Sequence, residues 1–159
     1  MSAPENRTEA EQERLNRQLS ELLQEVRIAM PGVQILFAFL LAVPFNQRFA
    51  DTTDFQRDVY VVTLLCSAVA AAFFIAPTAY HRILFGHGDK PRIIRLSTFF
   101  VLIALAALAL AMSGAVLLVV DFLFSRTTAL VITGLMLVMF GWLWFGLAGV
   151  RRLRADPVK

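Results

Sequence analysis

The side chains in this chain that could do chemistry are few, and they stand at the edges of its apolar blocks. Glu25 and Arg27 precede the first block, Asp58 the second, His81 follows the second, and Asp121 closes the third. Gln34 lies inside the first block, about 9 Å along a helix counted from Ile28 at 1.5 Å per residue. An amide at that depth needs a partner on a neighbouring helix or lines a polar cavity. Ion-coupled transport generally uses ionisable groups well inside the membrane, and no block holds a carboxylate at mid-depth. Gln34, Glu25, Arg27, His81 and Asp121 are therefore the set from which a transport path or polar network would be built. His81 and His87 are six apart with no third ligand in regular spacing, and Gly86-His87-Gly88 lacks the rest of a phosphate loop. The single cysteine, Cys66, can form no internal disulfide and reads as a small buried packing residue. No nucleophile–base pair, metal cluster or cofactor motif is visible, so catalytic, cofactor and metal residues are all expected to be none, and an enzyme is the weakest of three functional readings.

The elements that must position these groups follow from hydropathy. Of 159 residues 58% are apolar, against about 45–50% in an ordinary soluble domain. The excess is concentrated in four blocks, at about 28–45, 59–80, 96–124 and 128–150. Each is close to the length of about 18 or more apolar residues that marks a membrane-spanning helix. The expected fold is all-α: an integral membrane four-helix bundle over 28–150, an N-terminal amphipathic cytoplasmic helix within 1–27, and a basic tail over 151–159.

The N-terminal stretch carries six acids in its first 27 residues, which is unlike a signal peptide. Thr8 and Glu11 make a capping-box pattern. Leu15, Leu19, Leu22, Val26 and Ala29 then follow at steps of three and four, one face of a helix. Acids outnumber bases here, and an anionic leaflet repels acids. The leucine stripe is thus expected to pack on protein: its own membrane domain, a second copy, or a partner. A helix lying flat in the interface is the competing reading. Pro31-Gly32 is expected to kink or break the chain between this helix and the first span, because a proline removes a backbone donor and crowds the preceding turn. Pro77, in the last turn of the second span, is a second hinge.

Small residues suggest where helices approach. Thr63, Cys66, Ser67 and Ala70 form one side of the second span, and Ala68, Ala72 and Ala76 a row at steps of four. Ala104, Ala107, Ala111 and Ala115 mark the third span, and Gly134, Gly141 and Ala148 a seam on the fourth. Ser113-Gly114 is a possible bend. Asp54 or Asp58 is expected to cap the second span. Asp121 is a solvated acid if the third span stops at Val120; if the span runs on to Phe124 it is an edge residue needing a partner such as Arg126. The edge position is preferred, because charge in lipid is costly.

With both termini inside, only Arg48, Arg57 and Arg126 of the 15 Lys and Arg lie outside, a bias that fits the positive-inside rule. The net charge of +3 needs no nucleic acid to explain it, since no basic patch is interleaved with aromatics. The partners expected are the lipid bilayer and, through the N-terminal helix, a second copy or another protein.

The run from Arg14 to Leu41, and Ala76-Pro77 with His81-Arg82, resemble a family of small four-span membrane proteins of unknown function from actinobacteria. The resemblance covers most of the chain. It implies a multi-pass bacterial plasma-membrane protein with both termini cytoplasmic, and some members of such families are labelled sodium–proton antiporters. Two working readings result. The first is a structural, interaction or regulatory membrane protein displaying the Leu15, Leu19, Leu22 and Val26 face. The alternative is an oligomeric cation or proton transporter or channel component, in which Gln34 lines a wet cavity.

Overall fold

Apolar and small residues recurring at alternate steps of three and four decide how this chain folds. In the computed structural model, which describes residues 3–83 and 90–146, they form four long helices: α1 (Ala3–Ala42), α2 (Asp54–Ile83), α3 (Lys90–Leu123) and α4 (Arg126–Phe140). Two short 3₁₀ turns, Val43–Phe45 and Gln47–Asp51, join α1 to α2, and a π-helical stretch, Gly141–Gly146, continues α4. The all-α, four-helix architecture expected from the sequence is the one observed. Four helical segments are long and apolar enough to cross a bilayer: Ser20–Phe45, Asp54–Tyr80, Ile94–Leu123 and Arg126–Trp144.

The termini of these helices differ from expectation in instructive ways. Residues 54–58 are not loop but the first turns of α2. The cap is neither Asp54 nor Asp58. Thr53 and Gln56 form a reciprocal box, in which the Gln56 N–H donates to Thr53 Oγ1 at 3.3 Å and the Thr53 N–H to Gln56 Oε1 at 3.1 Å. Two orphan amides at the helix start are satisfied at once. Much of the expected 81–97 loop is helix too, since α2 runs to Ile83 and α3 begins at Lys90. His87 lies outside the described residues, as do Ala148 and the basic tail.

α1 is unbroken through Pro31 and Gly32, and α2 through Pro77. Neither site is a chain break. A proline costs one intrahelical bond and crowds the preceding turn, but a helix already anchored on both sides absorbs that loss. Here Val26 and Val33 flank Pro31, and both are buried.

Packing follows a seven-residue rhythm. On α2 the buried positions are Tyr60, Thr63, Ser67, Ala70, Phe74 and Pro77. On α1 they are Val26, Val33 and Leu40, each seven apart. On α3 Ser97, Ala104 and Ala111 repeat every seven, joined by Ala107. This is the seam that lets helices pack at a shallow crossing angle. α2 and α3 form the most extensive pair, α4 lies on α3, and α1 lies on α2 and to a lesser degree on α3. The main core joins Val26 and Val33 of α1 to Ala70 and Phe74 of α2 and to Ala104 and Ala107 of α3.

The alanine face of α3 is thus where the sequence places it, and so are Thr63, Ser67 and Ala70. Two other small-residue rows are not. Ala72 is exposed and Ala68 and Ala76 only half-buried, because the α2 seam runs one step round the helix. A side chain added at Gly134 or Gly141 would meet nothing within 4 Å. α4 instead turns Ala129, Thr133 and Phe140 inward. Gly114 does not bend α3. It is a point of close approach between α3 and α2: a Cβ there would collide with Thr63 Oγ1. Thr63 in turn donates that hydroxyl to the Val59 carbonyl at 2.6 Å, so the side chain is pinned.

Candidate functional site

The polar groups that the fold assembles lie at the end of the bundle where α1 leaves and α2 begins. Asp121 is in the last turn of α3, and its side chain is only 6% exposed. Oδ2 accepts a hydrogen bond from Gln56 Nε2 at 2.9 Å, and Oδ1 lies 3.6 Å from Arg126 Nε. Arg126, half-exposed at the start of α4, places its guanidinium carbon 4.1 Å above the centre of the Phe55 ring. One carboxylate thus ties α3 to the first turns of both α2 and α4. A buried charge is tolerable when paired and hydrogen-bonded, and α3 running on to Leu123 makes that pairing necessary. Of the two sequence readings of Asp121, the solvated acid is excluded, and the edge residue partnered by Arg126 is what forms.

Gln56 was not singled out from the sequence, although it carries two jobs, the cap of α2 and the bond to Asp121. The signal was present: Thr53-Asp54-Phe55-Gln56 is a capping-box pattern.

Tyr60, one turn further along α2, joins α1. Its hydroxyl donates to the Leu40 carbonyl at 3.0 Å. That carbonyl needs an outside donor, because the residue four positions on is Pro44, which has no N–H. The Phe49 ring, on the connection between α1 and α2, meets Tyr60 edge to face at 5.3 Å. The connection is held down further by Arg57, which donates to the Ala50 carbonyl at 3.3 Å and to Thr52 Oγ1 at 3.4 Å.

Beneath this polar rim is an apolar groove of about 420 Å³ between α1 and α3, with Gln56 and Tyr60 of α2 also in its lining. Leu36, Leu40, Ala115 and Leu118 line its walls. A second, larger concavity of about 880 Å³ lies between α1 and α2 beside Pro31 and Phe74, with Ser20, Gln24, Arg27 and Thr78 among its lining.

The structure does not bring the five sequence-predicted polar residues together. Gln34 is exposed on the outside of α1 and lines neither concavity. It follows the inward-facing Val33 by one residue, a turn of about 100° round a helix with 3.6 residues per turn. It makes neither the helix–helix bond nor the pore lining expected of it within this chain. Glu25 is exposed, and Arg27 is exposed at the rim of the larger concavity. Leu40, which contacts Tyr60 near the Asp121 cluster, is thirteen residues and so about 20 Å further along α1. The side chain of His81 lies outside the described residues. Among the described residues no group of three or more His, Cys, Asp and Glu could hold a metal ion.

The expected interaction face is divided. Val26 is buried in the main core, and Leu22 packs against it. Those two residues are taken by the chain's own helix packing, because the heptad that buries Val33 and Leu40 continues upstream through Val26. The side chains of Leu15 and Leu19 lie outside the described residues.

No curated protein and no solved structure matches the chain. A family model does match, over residues 8–148, which takes in all four spans, the Gln56–Asp121–Arg126 cluster and the groove beside it. The chain belongs to DUF6328, a family of unknown function.

Proposed function

We propose that this is a multi-pass plasma-membrane protein of bacteria that works by interaction rather than catalysis, holding a protein partner or a second copy on the part of α1 that leaves the bundle. The observation that carries this reading is the continuity of α1. Its 40 residues extend about 60 Å, twice the roughly 30 Å of a hydrocarbon core. The apolar segment begins only at Ser20, so residues 3–19 continue the same rod beyond it. Val26 and Val33 lock that rod into the core on either side of Pro31. A load on the outer half is therefore transmitted to the bundle rather than lost at a hinge.

The positive-inside bias supports a cytoplasmic side for both termini, and hence for this rod. Leu22 and Val26 being used internally, the remainder of the stripe, Leu15 and Leu19, is what a partner would meet. The one well-buried carboxylate among the described groups, Asp121, is committed to Gln56 and Arg126, which suits a brace better than a proton carrier or a general base.

A photo-crosslinking residue at Leu15 or Leu19, with exposed Gln18 as the control position, tests this in intact membranes. Discrete adducts from Leu15 and Leu19 that Gln18 does not give are the expected result. Identical patterns from all three, or none from any, would remove the reading. A reconstituted protein that carried cations or protons, and lost that flux in Gln34→Leu, would restore the transport alternative.

A further inference from the structure

We propose that the groove between α1 and α3 is a binding site for one acyl chain of a membrane lipid, with the lipid headgroup at the level of Arg126. This rests on the reading of α1 to α4 as membrane-spanning. Three observations converge on it.

The first is the chemistry of the lining. The groove measures about 420 Å³, within the roughly 300–1,000 Å³ typical of small-molecule sites. Its few polar side chains are already bonded: Gln56 to Asp121 and Thr53, Tyr60 to Leu40, Thr52 to Phe49. Each of those groups already has a partner and the rest of the lining is hydrocarbon, so the groove suits an occupant that is itself hydrocarbon.

The second is the direction in which the groove opens. Phe39 on one lip and Val119 and Phe122 on the other are 71%, 59% and 56% exposed. They belong to the apolar segments Ser20–Phe45 and Ile94–Leu123. The opening therefore faces the bilayer interior and is supplied from it. From Ala115 to Leu123 the α3 wall is about 12 Å long at 1.5 Å per residue. That is most of one leaflet's share of a core about 30 Å thick, the length of a chain segment lying along the helices.

The third is the end of the groove. Phe49 and Thr52 of the α1–α2 connection are part of its lining, and Arg57 fastens that connection. Arg126, paired with Asp121 just before the lining residues Phe122 and Leu123, supplies a half-exposed guanidinium at the end of α3 where a phosphate would lie. A bilayer lipid meets all of these conditions, with its chain in the groove and its phosphate at the polar rim.

The test uses the full chain in nanodiscs containing phosphatidylglycerol with a diazirine midway along one acyl chain. After irradiation the labelled residues are mapped by peptide mass spectrometry. Labelling concentrated on Leu36, Leu40, Leu118 and Phe122 is expected. It should be lost when Ala115→Trp fills the groove and kept when Leu135→Trp changes the exposed face of α4. Leu36→Trp fills the groove from the α1 side should Ala115→Trp not fold. Labelling spread evenly over exposed positions such as Ile35, Leu135 and Val138, or unaltered by both groove-filling variants, would overturn the site while leaving the spanning helices in place. Absence of labelling from every span would overturn the membrane-spanning reading with it.

Discussion

The same three helices, α1, α2 and α3, are held together in two different ways at their two ends. Around Phe74 they interdigitate: Val26, Val33, Ala70, Ala104 and Ala107 close on one ring that is 1% exposed. Around Tyr60 they do not. There α2 and α3 touch at Thr63 and Gly114, while α1 is kept near them by a hydroxyl bonded to a carbonyl and an aromatic edge contact. Dispersion contacts are short-ranged and fill space. A single hydrogen bond fixes a direction and leaves volume beside it. At the first end the three helices share a buried ring, with the larger concavity beside it between α1 and α2; at the second a groove stays open between α1 and α3. What differs is what α2 contributes: the buried Phe74 ring at the first end, and at the second Tyr60, bonded to Leu40 and in edge contact with Phe49.

The largest effect should come from emptying the Phe74 end. Phe74→Ala removes the ring on which three helices meet and should cost about 3–5 kcal/mol. Unfolding from mixed micelles by a graded anionic detergent measures it. A loss no greater than that of a groove-lining substitution such as Leu118→Ala would erase the distinction between the ends. Next is the contact between α2 and α3. Gly114→Leu forces a side chain against Thr63 and should cost about 1–3 kcal/mol, less what is regained by removing a glycine from a helix, about 1 kcal/mol. Thr63→Ala in the same chain should return part of the loss. An additive double variant would mean that the two residues do not meet.

The polar end should respond to group removal instead of to volume. Asp121→Ala leaves Gln56 Nε2 without its acceptor and Arg126 without its counter-charge, at a cost of about 2 kcal/mol. Arg126→Ala should cost less, about 1–2 kcal/mol, because the half-exposed guanidinium trades its partners for water while the little-exposed Asp121 loses its counter-charge and keeps the Gln56 bond. An equal loss from both would show that the ion pair, and not the Gln56 bond, holds α3 to its neighbours.

How much of this could be read from the residues depends on the range of the interaction. The four helices are legible because hydropathy is summed over twenty residues, and a few misjudged positions do not change the sum. The alanine face of α3 is legible because Ala104, Ala107 and Ala111 keep steps of three and four in register with its buried heptad. Small residues alone do not decide burial: Ala106 on the same helix is exposed, and the rows on α2 and α4 are only partly covered, since the neighbour decides which face is used. Pro31 misleads because a local propensity for bending competes with burial of Val26 and Val33, and burial prevails. Gln34 misleads because depth along a helix says nothing of rotation about it. Asp121 with Arg126 could be paired from the sequence since they are five residues apart. Gln56, 65 residues away from Asp121, could not, though its capping role could have been.

The smallest of the expected effects isolates the bond that holds α1 at the open end. Tyr60→Phe keeps the ring, and with it the edge contact to Phe49, and removes only the hydroxyl that serves the Leu40 carbonyl. The global cost should be about 1 kcal/mol. Its location is the more informative quantity. Pro44 offers that carbonyl no N–H, so the last turn of α1 loses its hydrogen bond to α2, and the connection is left with the Arg57 bonds to Ala50 and Thr52. Hydrogen exchange should rise from Leu40 to Thr52 and stay unchanged from Leu22 to Val33, where packing is undisturbed. Opening confined to the groove end matches the division between the two ends, because local openings follow the contacts that are lost. Exchange rising equally along the whole of α1 would mean that the helix is held as one body, and the two ends would not be separate units of stability.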